Sequence, residues 1–210
     1  MNQERERLFN APWPALALVA SLFVCFLLES WVGVDFAASR LGFAPQDLVH
    51  GVWQPLFTSI FLHGGWLHLL SNSAFALAFA TPVARRMGLD ASGGIAFCLF
   101  YLTCGVLSNL GFAAIDPHDT APLVGASGAI AGLMGATSRL MVPSERLAPF
   151  RSPAVIGMAA SWVAVNLVIA VIPWATPGAG HAIVAWQAHL SGYAAGLVLI
   201  GPALRLLGEA

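Results

Sequence analysis

The sequence predicts an all-α integral membrane protein: six transmembrane helices in a compact bundle, with a long first outer loop lying at the membrane interface. Three observations lead there. Of the 210 residues, 58% are hydrophobic and 9% are charged, against roughly a quarter charged in a soluble domain. The chain therefore lacks the polar side chains to clothe a water-facing surface. Several apolar runs approach or exceed the roughly 20 residues that cross a bilayer as a helix. Finally, the nine basic residues are all arginine, and they fall eight to one on opposite faces if the apolar runs alternate in direction.

Taken in order, residues 1–11 form a short polar segment of mixed charge, expected on the cytoplasmic side, and residues 12–207 form one six-helix domain. The expected spans are Pro12–Val32, Trp66–Ala84, Ala91–Ile115, Val124–Met141, Pro153–Pro173 and Ile183–Leu206. Each must be helical, because lipid offers no partner to an unpaired backbone. The first run lacks a small-residue cleavage site and reads as a retained span, not a signal peptide. Arg5, Arg7, Arg85, Arg86, Arg139, Arg146, Arg151 and Arg205 fall on one side, and Arg40 on the other. Both termini are then cytoplasmic. Glu29 and Arg139 lie near span ends, where a charged head can reach the interface.

The first connection, Gly33 to Gly65, carries Phe36, Leu41, Phe43, Trp53, Phe57, Ile60 and Phe61. So apolar a stretch suits short helices lying in the outer leaflet interface. The third connection, Asp116 to Pro122, is short and acidic. The fifth, near Trp174 to His181, is rich in glycine and proline and is expected to be mobile. Cys25, Cys98 and Cys104 fall inside apolar runs without metal-type pairing and read as buried small hydrophobes. No basic stripe points to nucleic acid.

The chain is organised around Leu123-Val124-Gly125-Ala126-Ser127-Gly128-Ala129-Ile130-Ala131-Gly132. A serine lies between glycines where a turn passes into an apolar helix. The first N–H groups of a helix have no intrahelical partner, and its dipole is positive there. A serine oxygen at that place has donors beside it that can hold a developing oxyanion, and Gly125 and Gly128 leave room for a peptide. The same small residues also fit a close helix contact.

With both termini inside, the second, fourth and sixth spans begin at the outer face, and each carries polar residues near that end. His63, His68 and Asn72 precede or open the second, Ser127 the fourth, and His189 the sixth. At about 1.5 Å per residue these groups share one shallow depth. His68 and Asn72 are four apart and share a helix face; both can donate to an oxyanion, although a hydrogen-bonded pair joining helices has the same pattern. His63 reads as a structural hydrogen-bonding residue. Gly192 and Gly196 on the sixth span match Gly128, Gly132 and Ala136 on the fourth. Two such faces allow the close approach that brings Ser127 and His189 together as nucleophile and general base. His50, His118 and His181 lie in outer connections and read as solvated.

These residues resemble the rhomboid intramembrane serine proteases. The likeness rests on His63-x4-His68-x3-Asn72, on Gly125-Ala126-Ser127-Gly128, and on Ala188-His189-x2-Gly192-x3-Gly196. The motifs occur in the family's order on the second, fourth and sixth spans. The resemblance covers about Trp53 to Leu199 and implies a rhomboid-like bundle with a Ser127–His189 dyad lacking a third acid. It also implies an oxyanion hole of His68, Asn72 and the Ser127 N–H, with His63, Gly125, Gly128, Gly192 and Gly196 in support. Implied substrates are single-pass membrane proteins cut within or near their spans, in the lipid bilayer, with no metal or cofactor. A bacterial inner membrane location with the site opening outward is implied as well.

Two positions depart from the family pattern. Trp53-Gln54 stands where Trp-Arg is often found, and Ala131 replaces a tyrosine that stacks on the histidine, so His189 must be oriented by something else. A catalytically weak or inactive relative that binds membrane clients is the alternative reading; such a chain normally lacks the serine or the histidine, and both are present. A metal or haem site on His63, His68 and His189 leaves the glycine-flanked serine unexplained, and a transporter would show interrupted spans in paired repeats.

Overall fold

The computed structural model describes residues 11–141, 146–171 and 184–208. The segment 1–10, the fifth connection with its expected mobility, and His181 lie outside the described residues, as do the expected span ends at Pro173 and Ile183. Nine α-helices run through the described parts: α1 (Trp13–Val32), α2 (Val34–Leu41), α3 (Pro45–Val49), α4 (Pro55–Thr58), α5 (Trp66–Met87), α6 (Ala91–Ile115), α7 (Ser127–Leu140), α8 (Pro153–Val171) and α9 (Trp186–Leu206). A single 3₁₀ turn, Ser59–Phe61, follows α4. No strand occurs among the described residues; Phe43 and Leu123 form one isolated antiparallel bridge.

Four helices, α1, α5, α6 and α8, are long and apolar enough to cross a membrane. α9 has the length, but Gln187, His189, Ser191 and its glycines dilute its apolar character. α7 differs most from expectation: it begins at Ser127, not Val124, and has 14 residues. At about 1.5 Å per residue it is some 21 Å long, short of a hydrocarbon core of about 30 Å. The stretch leading to Ser127 is tied elsewhere. Leu123 N–H donates to Phe43 O at 2.7 Å and Gly125 N–H to Ser59 O at 2.9 Å. Gly125 has φ +134°, which a side-chain-bearing residue rarely adopts. The chain therefore does not enter the helix until Ala126, its N-cap.

α7 is the central element. Ten of its fourteen residues are buried, and it packs against α5, α6, α8 and α9. Small residues make this possible. A Cβ on Gly192 would collide with Gly128 O, one on Gly196 with Gly132 O, and one on Gly135 with Tyr193 O. A Cβ on Gly132 would meet Cys104 of α6, and one on Gly128 would meet Ser108. Around this seam the core is filled by Leu22, Phe26, Leu69, Phe97, Tyr101, Leu133, Ile200 and Leu204. Large apolar side chains elsewhere point outward, among them Trp31, Leu70, Ile95, Leu99, Val168 and Val198.

Two contacts group the helix ends. Trp13 Nε1 donates to Leu89 O at 2.7 Å, joining the start of α1 to the α5–α6 turn. Arg139, at the end of α7, donates to Ala148 O at 3.0 Å, stacks on Phe150 with 4.2 Å to the ring centroid, and feels the charge of Arg205. In the α5–α6 turn Asp90 caps α6. Its Oδ1 accepts from Gly93 N–H at 2.9 Å and its Oδ2 from the Ser92 hydroxyl at 2.8 Å. These bonds, the Gly93 N–H first, hold its carboxyl below the usual range.

Residues 33–65 do carry short helices. Their apolar contents divide: Phe43, Leu56 and Ile60 are buried, whereas Phe36, Val49, Trp53 and Phe57 are exposed. The segment is fixed by amide and carboxylate groups from neighbouring helices. Asn109 of α6 donates from Nδ2 to Leu56 O at 2.9 Å and to Ser59 Oγ at 3.0 Å. Glu29 corrects the expectation of a charge reaching the interface. It is 4% exposed, and its Oε1 accepts the His63 N–H at 2.9 Å. An unpaired N–H buried in a chain turn is costly, and the carboxylate is placed where it meets that need. The cysteines also separate, Cys104 being buried, Cys25 half-buried and Cys98 exposed. Only Cys104 behaves as the buried hydrophobe expected of all three.

Candidate active site

Ser127 is the first helical residue of α7 and is half-buried. The extended segment tied to Phe43 and Ser59 delivers it to the mouth of the bundle. His189 lies in the first turn of α9 and is 8% exposed. The glycine seam sets the two helices close enough for their side chains to meet, and Ser108 Oγ of α6 donates to Ala188 O at 2.7 Å, fixing the backbone just before the histidine. The result is a Ser127 Oγ to His189 Nε2 separation of 2.9 Å.

His68 and Asn72 lie on α5, one turn apart. The Gly64 N–H donates to His68 Nδ1 at 3.3 Å. With Nδ1 accepting, a neutral imidazole carries its hydrogen on Nε2. That edge of the ring lies over Gly125: a Cβ built there would stand 2.9 Å from His68 Cε1 and Nε2 and 3.6 Å from Ser127 Oγ. The donor edge of His68 and the serine hydroxyl therefore border one space, kept open by the absence of a side chain on Gly125. Asn72 is buried, and its Nδ2 has no partner among the described residues.

His63 stands apart from this space. It is 1% exposed, its Nδ1 pairs with Phe61 O at 3.2 Å, and its ring meets His68 edge-on with centroids 5.2 Å apart. His63 thus backs His68. Gly128, Gly192 and Gly196 act through helix approach, as described for the seam. His50 and His118 are exposed.

Three contributors escaped the sequence reading. Asn166 of α8 is fully buried, and its Oδ1 lies 2.9 Å from His189 Nδ1. Trp162, one turn earlier, faces the His189 ring with centroids 5.7 Å apart, and its Nε1 donates to His189 O at 3.4 Å. Asn109 ties the loop before the site, as noted above. A signal existed for two of them: an amide inside an apolar run costs free energy in lipid and marks a functional candidate. Ala131 is buried at 2% exposure; the ring beside His189 comes from α8 and not from α7.

The arrangement offers a hydroxyl hydrogen-bonded to an imidazole, with the donor edge of His68 bordering the same space. Serine acyl-transfer chemistry needs these parts. Comparison with known proteins points the same way. Residues 50–205 match the Rhomboid domain family. The chain is 36% identical over 129 residues to YdcA of Bacillus subtilis, provisionally named a rhomboid protease, covering 61% of each chain. It is 30% identical over 135 residues to the rhomboid protease GluP of the same organism, covering 63% of this chain and 25% of that one. It is also 37% identical over 93 residues to the chloroplastic RHOMBOID-like protein 9 of Arabidopsis thaliana, covering 43% of this chain and 19% of that one. The chain thus aligns with about three fifths of the first relative and a quarter of the second.

Proposed function

Because the chain belongs to the rhomboid family, we propose that it is an intramembrane serine endopeptidase that cleaves single-pass membrane proteins within or near their spans. The 2.9 Å contact between Ser127 Oγ and His189 Nε2 carries the reading. In this mechanism His189 Nε2 takes the hydroxyl proton as Oγ attacks the scissile carbonyl. The carbonyl oxygen gains negative charge over Gly125, where His68 Nε2–H, Asn72 Nδ2 and the Ser127 N–H donate to it. His189 then passes its proton to the leaving amine. A water molecule, deprotonated by the same nitrogen, hydrolyses the acyl-enzyme.

The bundle is proposed to span six times, with both termini cytoplasmic in a bacterial inner membrane and residues 33–65 at the outer interface. α7 is too short to cross by itself, so with Arg139 at the inner face its N-terminus ends below the outer one. Ser127 then lies within the membrane thickness and still opens to the water side. Substrate must enter with its backbone unwound, since a helix hides its carbonyls in its own hydrogen bonds.

A fluorophosphonate probe tests the assignment on protein purified in detergent. Wild type is expected to be labelled, Ser127→Ala unlabelled, and His189→Ala labelled far more slowly. Undiminished labelling of Ser127→Ala disposes of the nucleophile. Incubation with a panel of single-span proteins, again against Ser127→Ala, tests the substrate class.

A further inference from the structure

We infer that Asn166 is a positioning residue for the Ser127–His189 pair, its side-chain oxygen holding His189 in the tautomer and orientation a general base requires. The inference rests on His189 being that base. The amide is oriented by its own second bond: Asn166 Nδ2 donates to Trp162 O at 2.9 Å. A carbonyl only accepts, so the atom facing His189 is the amide oxygen. That oxygen also only accepts, so His189 Nδ1, 2.9 Å away, carries the hydrogen. A neutral imidazole has one N–H; Nε2 is therefore bare, with its lone pair toward Ser127 Oγ at 2.9 Å. The other tautomer would set a nitrogen lone pair against the Asn166 oxygen in a buried place, which is unfavourable.

In the water-soluble serine proteases a buried carboxylate does this work. An amide supplies the orientation and the tautomer without placing a charge in lipid. The site also needs such a group, since Ala131 brings no ring to the imidazole. Trp162 and Asn166 both come from α8, whose only buried side chains are Val155 and Asn166. Around His189, α7 contributes Ser127, α6 the Ser108 hydroxyl on Ala188 O, and α5 the titratable His68, which lies within electrostatic reach.

The test uses the full chain in detergent, with Asn166→Leu and Asn166→Asp read by fluorophosphonate labelling, cleavage kinetics and ¹⁵N spectra of labelled histidine. Asn166→Leu is expected to slow labelling and kcat by roughly 10- to 100-fold with KM unchanged. That is less than the about 10⁴-fold loss on replacing a triad aspartate by an amide that imposes the wrong tautomer, because leucine imposes neither. Asn166→Asp is expected to recover much of the rate and to move the acid limb of the labelling profile to higher pH, since a carboxylate favours the imidazolium. A role in packing alone would not move that limb. Wild-type spectra should show His189 protonated on Nδ1. Asn166→Leu labelling at the wild-type rate and pH profile overturns the inference, as does wild-type His189 protonated on Nε2. Should the leucine variant not fold, the aspartate profile and the wild-type spectrum decide. A wild type that the probe does not label counts against the proposed activity instead, and the tautomer still decides the role of Asn166.

Discussion

Several polar side chains of this protein have a geometric reason to be where they are. His68 borders the space above Gly125, and Asn72 follows one turn later on α5; both are proposed as oxyanion donors. Removing one donor from an oxyanion hole typically lowers turnover by about 10²–10³-fold, or roughly 2.7–4 kcal/mol of barrier. His68→Ala and Asn72→Ala are expected to lower kcat in that direction while KM and thermal stability stay near wild type. A wild-type kcat in both variants would return the pair to helix packing. Glu29 calls for a different readout. Glu29→Leu strands the His63 N–H, and a stranded buried donor costs about 1–3 kcal/mol. Glu29→Gln keeps an acceptor at the same place. Unfolding midpoints should fall for leucine and move much less for glutamine; equal losses would show that the carboxylate oxygen is not what holds the turn.

Among the helices, the contact between α7 and α9 sets the geometry on which the proposed chemistry depends. Backbone meets backbone there, so the neighbours have no flexible side chain to yield. Gly196→Ala would drive a methyl group into Gly132 O; overpacking of this kind costs typically 1–3 kcal/mol or more. Activity should fall with it, because separating the two helices separates Ser127 from His189. Gly157 of α8 is the control, since a Cβ there meets nothing within 4 Å. Gly157→Ala is expected to be neutral or stabilising by up to about 1 kcal/mol, from helix propensity alone. Unfolding curves of the two variants check both statements, and a Gly196→Ala protein as stable and active as wild type would refute the seam as the determinant.

The bundle as a unit has an orientation that the arginines predict. The ends of α1 and α5 meet through Trp13 and Leu89, and those of α7 and α9 lie together through Arg139 and Arg205. In the proposed orientation, with eight arginines directed to the cytoplasm, His118 belongs outside and Ser92 inside. In a background lacking the three native cysteines, His118→Cys should react in intact cells with an impermeant maleimide, and Ser92→Cys should react only after lysis. The reverse pattern would place the Ser127 opening at the other face.

What the linear chain determined by itself is periodic, compositional or local. Apolar length placed the long helices, since lipid leaves a backbone no alternative to helix; α6 has the expected ends, Ala91 and Ile115, because Asp90 caps it from the adjacent position. Glycine spacing of four on two runs announced the seam, and glycines flanking a serine, with histidine and asparagine on the matching runs, pointed to the candidate site. Only the tertiary structure decided the rest. The start of α7 moved to Ser127 because Phe43 and Ser59, more than sixty residues away, bind the backbone before it. Glu29 sits inside because the turn at His63 brings it a donor. Asn166 met His189 because α8 docks on α9, a pairing with no trace in the run Pro153–Val171 beyond one amide among apolar neighbours. Each of these depends on a hydrogen-bond partner distant in sequence, and the need of a buried polar group for a partner does not say which partner the fold will bring.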